Sequence, residues 1–368
     1  MPEVIRKDQF LITSDKLTPG FVILRKDKAK DTSPFLDQLV LTRTPALSSL
    51  GVGIQTLCDP AIYDAIDDGD IGFLGLKGNL RVTLSQRANH NTVLVTERCD
   101  NRCLFCSQPP KENNDDWLLL QSAMAIAAFN TTSTVGVSGG EPLLYRETFL
   151  RFIDFVKGHT PHTPLHVLTN GRAFADADFT KAVAQRCEGL HLVFGIPLYA
   201  SNAEIHDHLV GAKGAFADTM LGLINAGNSG IPIELRFIPT TSNRFQLAST
   251  VELAARCFSS ITQISVMNLE PTGWAKKNWH ALYIDPSMYS AELENGLEAG
   301  LAGGLPVVLF NYPLCHLTPK LRSHAVKSIS DWKNYYPDEC TECIEISRCS
   351  GYFSSSKGKL HSPPRRIR

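Results

Sequence analysis

The sequence predicts an α/β chain built around a partial (β/α)6 barrel, with a small β-rich segment before it and a cysteine-rich extension after it. From about residue 89, short apolar runs alternate with longer helix-like stretches, the pattern of a parallel sheet with helical crossovers. Residues 1–88 instead carry short apolar runs between turn-forming residues. The cysteines fall mostly in two groups, Cys99, Cys103 and Cys106 in the alternating region and Cys315, Cys340, Cys343 and Cys349 near the end. The expected divisions are an accessory domain over 1–88, a barrel core over 89–305, a cysteine-rich domain over 306–356 and a mobile basic tail over 357–368.

At 368 residues the chain can bury roughly three quarters of its unfolded surface. Lys and Arg number 36 against 37 Asp and Glu, so no net field marks a nucleic-acid or membrane partner. Met1-Pro2-Glu3-Val4-Ile5-Arg6-Lys7-Asp8 lacks the apolar core of a signal peptide. The most apolar stretch, Trp117–Phe129, is interrupted by Gln121 and Ser122 and is too short for a bilayer; it reads as a buried helix. A cytoplasmic protein is expected. Ten cysteines there indicate metal or redox chemistry in preference to disulfides.

In chain order, Phe10-Leu11-Ile12, Phe21-Val22-Ile23-Leu24 and Leu39-Val40-Leu41 read as small strands. Gly69–Leu74 and Leu80–Leu84 read as two more around a Lys77-Gly78-Asn79 turn, and Cys58 as a buried hydrophobe. No catalytic constellation appears in this segment. The barrel strands expected are Thr92–Thr96, Thr134–Val137, Leu165–Leu168, Leu190–Phe194, Ile233–Ile238 and Ile264–Leu269. The helices expected between them are Trp117–Phe129, Arg146–Lys157, Phe174–Arg186, Phe216–Ala226 and Leu247–Cys257. Loops at the carboxyl ends of parallel strands form active sites, and each motif below falls at such an end.

Cys99, Cys103 and Cys106 are spaced C-x3-C-x2-C directly after Val93-Leu94-Val95. Protonated thiols are poor ligands, so three together make sense chiefly around a metal. The residues that follow, Ser107, Gln108, Pro109 and Pro110, supply no fourth ligand. Three thiolates on a four-iron cluster leave one iron open for chemistry; the alternative is a zinc knuckle completed by a distant residue such as His90. Ser138-Gly139-Gly140-Glu141-Pro142 follows the second strand. Its glycines let backbone approach a ligand closely and its carboxylate can hold an ammonium group, although it also reads as an ordinary strand-to-helix turn.

Thr169-Asn170-Gly171 follows the third strand, either as a plain Asn-Gly turn or with Thr169 and Asn170 facing a cofactor. Arg236 lies between Leu235 and Phe237 and needs a partner, in a structural ion pair or in a ligand carboxylate. Asn268, Glu270, Pro271, Thr272 and Gly273 end the sixth strand. His206-Asp207-His208 reads as a loop leading to a helix, with Gly211 and Gly214 making turns. Cys187 and Cys257, at helix ends, read as packing residues. Near the carboxyl terminus, Cys315, Cys340-Thr341-Glu342-Cys343 and Cys349 can close a four-thiolate site, for an iron-sulfur cluster or for zinc.

The cysteine triad resembles the signature of the radical S-adenosylmethionine (SAM) enzymes, and Gly139-Gly140-Glu141-Pro142 resembles their SAM-ammonium motif. Cys340, Cys343 and Cys349 are similar to part of the auxiliary-cluster domains, of SPASM and twitch types, in peptide-modifying members. Three further segments, Cys106–Lys111, His166–Asp176 and Ser328–Asn334, look like the smaller of the paired radical SAM maturases of the His-Xaa-Ser peptide-modification system. That resemblance runs from about residue 70 to 356. It implies a 4Fe-4S cluster on Cys99, Cys103 and Cys106 that binds SAM and cleaves it reductively to a 5′-deoxyadenosyl radical. It implies a SAM pocket including Gly139, Gly140, Glu141, Thr169, Asn170, Arg236 and Asn268. A second, auxiliary 4Fe-4S cluster on Cys315, Cys340, Cys343 and Cys349 is expected, with zinc as the alternative. The implied partners are a ribosomally made precursor peptide with His-Xaa-Ser repeats, a second radical SAM maturase and a low-potential electron donor. Two other functions stay open: a radical SAM enzyme of small molecules or nucleotides, as in molybdenum-cofactor biosynthesis, and a zinc-stabilised binding protein without catalysis.

Overall fold

The computed structural model describes residues 20–28, 33–42, 54–57, 60–75, 79–330, 333–358 and 360–368. The expected strand Phe10-Leu11-Ile12, Cys58, Lys77-Gly78 and Asp331-Trp332 lie outside the described residues.

Strands β1 (Gly20–Lys26), β2 (Gln38–Thr42) and β3 (Ile54–Leu57) are followed by helix α1 (Pro60–Ala65), β4 (Ile71–Leu74) and β5 (Leu80–Leu84). They form a mixed five-stranded sheet in the order β3-β2-β1-β4-β5. Alternate side chains of a strand face opposite ways, and β1 is buried on both faces. Val22 and Leu24 pack with Leu39, Leu41, Tyr63 and Leu74, while Phe21 and Ile23 join the buried cluster of the main domain.

That main domain begins with β6 (Asn91–Leu94), α2 (Trp117–Phe129), β7 (Val135–Ser138), α3 (Arg146–His159), β8 (Leu165–Leu168) and α4 (Ala177–Cys187). It continues through β9 (Leu192–Pro197), α5 (Ala203–Val210), α6 (Ala215–Asn228), β10 (Ile233–Phe237), α7 (Leu247–Cys257) and β11 (Ile261–Met267). Short helices α8 (Gly273–Lys277) and α9 (Trp279–Leu282) precede α10 (Ser290–Ala302), β12 (Val307–Phe310), α11 (Pro319–Arg322) and β13 (Ala325–Val326). A two-stranded antiparallel pair, β14 (Asn334–Tyr335) and β15 (Tyr352–Phe353), follows.

The strands β6 to β13 make one sheet of eight, every neighbouring pair parallel, with β6 and β13 as its edges. All six strand-helix units expected are present, and the sheet curves on through β12 and β13 as an open barrel. The period of two sends Val93, Val137, Val167, Phe194, Leu235 and Val266 into the helix layer, each fully buried or nearly so. The residues between them, including Gly136, His166, Gly195, Glu234 and Ser265, take the inner face. Among the described residues no helix is long and apolar enough to cross a membrane.

Three expectations are corrected. His206-Asp207-His208 lie within α5, because the Asn202 side chain caps Ile205 N at 3.0 Å and starts a helix there. The buried His206 accepts from Tyr199 N, and Asp207 accepts from Gly214 N and Phe216 N, holding the entry to α6. Cys257 is exposed and packs nothing, whereas Cys187 does lie against the core. The carboxyl-terminal tail, expected to be mobile, is tied down: Ile344 N donates to Ile367 O at 3.3 Å and Arg366 pairs with Glu342.

Phe194, fully buried on β9, meets Phe174 edge-on at 5.1 Å and lies 6.3 Å from Phe149. Phe194→Ala should cost about 3–5 kcal/mol by leaving a cavity between the sheet and its helices. Urea unfolding measures this; a loss below about 1 kcal/mol contradicts the packing described.

Candidate active site

The loop after β6 carries Cys99, Cys103 and Cys106, and it is held by main chain on both sides. Arg102 N and Leu104 N donate to Val210 O and Leu209 O, at 2.8 and 2.9 Å, which fastens the loop to the end of α5. Trp274 N donates to Cys106 O at 2.8 Å, and Asn278 Nδ2 to Leu104 O at 2.7 Å. At Gly273, with φ +51°, a Cβ would come within 2.4 Å of Cys106 O. On the other side, Gly140 N donates to Thr96 O and Glu141 N to Arg98 O, at 2.8 and 2.7 Å. A Cβ on Gly140 would sit 1.9 Å from Arg98 O. The close approach that these glycines allow is therefore to the cysteine loop itself.

Glu141 is the centre of the site. Its side chain accepts from Leu143 N at 2.9 Å and Thr169 Oγ1 at 2.5 Å on Oε1, and from Asn170 N at 2.6 Å on Oε2. Asn170 Nδ2 in turn donates to Asp100 Oδ1 at 2.6 Å, between the first two cysteines. A single network, buried at Glu141 and reaching the surface at Asp100, thus joins the triad, the Gly139-Gly140-Glu141 turn and Thr169-Asn170. Burial pushes the Glu141 carboxyl up to about 7 against the pull of its three donors. Burial also raises all three thiols, Cys103 to about 12, with neighbouring charges from Glu141 and Asp100 adding to the effect at Cys99 and Cys103. Thiolates gathered here need a cation among them, which fits a metal cluster.

Arg236 and Asn268 stand apart from this network. Arg236 Nη2 lies 2.7 Å from Met267 Sδ, and its Nε lies 4.0 Å from Glu234 Oε1; Glu234 Oε2 is 2.6 Å from His166 Nε2. Asn268 caps its own strand end, bonding Leu269 N and Asn311 O. Several residues that matter were not singled out from the sequence. Asp115 accepts from Thr96 Oγ1, Glu97 N and Tyr145 OH, at 2.7, 2.5 and 3.0 Å, and so shapes the start of the cysteine loop. Arg172 bonds Asn101 Oδ1 at 3.0 Å and pairs with Asp100 and Asp218. Their only signal is charge beside a motif. His90, by contrast, is exposed and precedes β6, at the opposite strand end from the triad.

Cys315, Cys340, Cys343 and Cys349 line one cleft, together with Tyr336, Tyr352 and Ile367 of the tail. Leu314 N and Gly351 N each donate to Cys349 Sγ at 3.3 Å. Among the described residues no three His, Cys, Asp or Glu side chains converge as ligands of a single ion. Beside it, burial alone would lower His316, but bonding to Asp285 and Cys315 outweighs that and lifts it to about 9.

Residues 93–244, which hold the triad, Glu141 and Thr169-Asn170, match the model of the Radical SAM superfamily. That segment carries the resemblance to the superfamily and makes up less than half of the chain. It is 29% identical over 154 residues to the GTP 3′,8-cyclase of Sulfurovum sp., which covers 40% of this chain and 45% of that protein. It is 25% identical over 194 residues to the PqqA peptide cyclase of Ruegeria pomeroyi, which covers 51% of this chain and 49% of that protein. The chain therefore spans about half the length of the curated relatives it matches. Among solved structures, Streptococcus suis SuiB is 15% identical with a TM-score of 0.45, over 59% of this chain and 48% of that one. Escherichia coli coproporphyrinogen III oxidase is 18% identical with a TM-score of 0.44, over 58% and 52%.

Glu141 has a folded pKa near 7 against a reference of 4.5, so between these values the folded chain holds a proton that the unfolded chain lacks. Its contribution is present below about pH 4.5 and is lost as pH rises through about 7. Between pH 4 and 8 the unfolding free energy of Glu141→Gln should rise relative to wild type by about 3 kcal/mol. Parallel pH profiles would contradict the raised pKa of the buried carboxyl.

Proposed function

We propose that the chain is a radical SAM enzyme that modifies a ribosomally made peptide, of the His-Xaa-Ser type, by forming a bond within it. The observation that carries the reading is the Glu141 network, which draws three separated motifs into one site at the carboxyl ends of β6, β7 and β8. A cluster on Cys99, Cys103 and Cys106, when bound with SAM, supplies the one-electron chemistry that removes a substrate hydrogen.

The chain's own residues do the positioning. A carboxylate offers about four acceptor sites, and three on Glu141 are taken within the protein, which leaves one for the SAM ammonium group. Gly139, Gly140, Thr169 and Asn170 fix that carboxylate against the cysteine loop. Arg236 and Asn268 line the pocket further round the barrel, Arg236 toward the SAM carboxylate. His166 and Glu234, on the inner face, meet the substrate. The inner face and the loops above it exclude water from the reacting atoms.

The cleft of Cys315, Cys340, Cys343 and Cys349 takes an auxiliary 4Fe-4S cluster, whose closed four-thiolate shell favours electron transfer over direct ligation of substrate. Likeness to a protein named as a peptide cyclase supports the peptide substrate. The His-Xaa-Ser assignment rests on the three sequence segments alone, as do the second maturase and the low-potential donor. Likeness to a protein named as a GTP cyclase favours a second reading, a nucleotide substrate.

Anaerobic incubation with SAM, reductant and either a His-Xaa-Ser repeat peptide or GTP separates the two readings. Loss of hydrogen from the peptide mass, with GTP unchanged, is expected; GTP conversion with an intact peptide overturns the peptide reading. Metal analysis of the reconstituted chain should find about eight irons. About four irons and one zinc contradicts the auxiliary cluster and leaves the first assignment standing.

A further inference from the structure

We propose that Asp285, His316 and Tyr352 form a relay that holds a hydrogen bond on the sulfur of Cys315 and so sets the reduction potential of the carboxyl-terminal centre, an inference that rests on the auxiliary-cluster reading above. Asp285 Oδ2 lies 3.0 Å from His316 Nδ1, His316 Nε2 lies 2.8 Å from Tyr352 OH, and Tyr352 OH lies 3.4 Å from Cys315 Sγ. Asp285 is itself fixed by Ser287, whose N and Oγ both donate to its Oδ1, at 2.8 and 2.5 Å. The three residues come from different places: the segment before α10, the turn after β12, and β15. Burial to 2% and 4% exposure shields the His316 and Tyr352 links from competing solvent.

Hydrogen-bond bookkeeping gives the relay a direction. A metal-bound thiolate only accepts, so the Tyr352 hydroxyl is the donor to Cys315. That commits its single proton, and the tyrosine oxygen then accepts from His316 Nε2–H. His316 Nδ1–H donates to the Asp285 carboxylate, which balances the charge. Asp285 and His316 are thus positioning residues, and Tyr352 makes the contact. Cys315 also takes a main-chain donor from Arg365, and both donors to Cys349 are main-chain N–H groups; side-chain substitution leaves all of these in place. Hydrogen bonds to cluster sulfurs stabilise the reduced, more negative state and raise the potential. Tyr352 also lines a neighbouring cleft with Trp279, Tyr283, Phe353 and His361, so the ring that carries this donor separates the two cavities.

The test uses the full chain with Cys99, Cys103 and Cys106 replaced by Ala, reconstituted anaerobically with iron and sulfide so that only the carboxyl-terminal centre is loaded. Iron content and midpoint potential are measured with and without Tyr352→Phe, which keeps the buried ring and removes the donor. About four irons in both proteins and a more negative midpoint in the Phe variant are expected. Asp285→Asn should shift the midpoint in the same direction by a smaller amount, with circular dichroism unchanged. Four irons and an unmoved midpoint in both variants overturns the relay and leaves the auxiliary cluster standing. Zinc, or no metal, in the parent overturns both. If Tyr352→Phe fails to fold, Asp285→Asn decides: an unmoved midpoint there overturns the relay.

Discussion

A carboxylate buried in the loops above a parallel sheet is an expensive group to hold, and Glu141 is kept by three donors from two turns, those after β7 and β8. Those donors are what the rest of the site depends on. Leu143 N sets the short turn after β7, and Thr169 and Asn170 set the end of β8. Asn170 then passes the constraint to Asp100 in the cysteine loop. Removing any one donor leaves an oxygen of the buried Glu141 carboxylate short of a partner, so one acceptor ties the ends of adjacent strands together. The same burial lifts the Glu141 carboxyl, which couples the architecture to protonation.

The two cysteine groups are built on different physical principles. The first sits on a loop gripped by main-chain bonds to α5, to α8 and to the turn after β7, with glycine at the closest contact, and the side chains of Asp115 and Asn170 add to that grip. The second has main-chain donors on Cys349, from Leu314 N and Gly351 N, and on Cys315, from Arg365. Its remaining walls are side chains of Tyr336 and Tyr352 and the tail residues that close over it. The open centre proposed on the first group would gain from a rigid rim, and the closed centre proposed on the second could be tuned through the groups that touch its sulfurs.

Much of this was legible in sequence because parallel strands announce themselves. Leu165–Leu168, Trp117–Phe129 and Leu247–Cys257 were bounded to the residue, since each is an apolar run cut off by turn formers. β12 was not read because Val307–Phe310 is four residues with no flanking periodicity, and its strand character comes from pairing with β11. α5 was missed because two histidines and an aspartate mask its start, while its cap, Asn202, lies upstream. The motifs themselves were visible, but their connections were not. Nothing near Asp115 says that it reaches back to Thr96, because bonds between loops distant in sequence leave no local pattern. The same limit hid the His166–Glu234 pair, whose members lie on strands separated by β9.

The central claim is that the loop gathered by Glu141 is a SAM-cleaving centre. The measurement that tests it most directly is 5′-deoxyadenosine formation by the anaerobically reconstituted chain given SAM and a strong reductant, without any substrate. Steady release of 5′-deoxyadenosine by the wild type and none by a folded Cys106→Ala chain is the result predicted. Equal release by both, or none by a wild type shown to hold its irons, would contradict it.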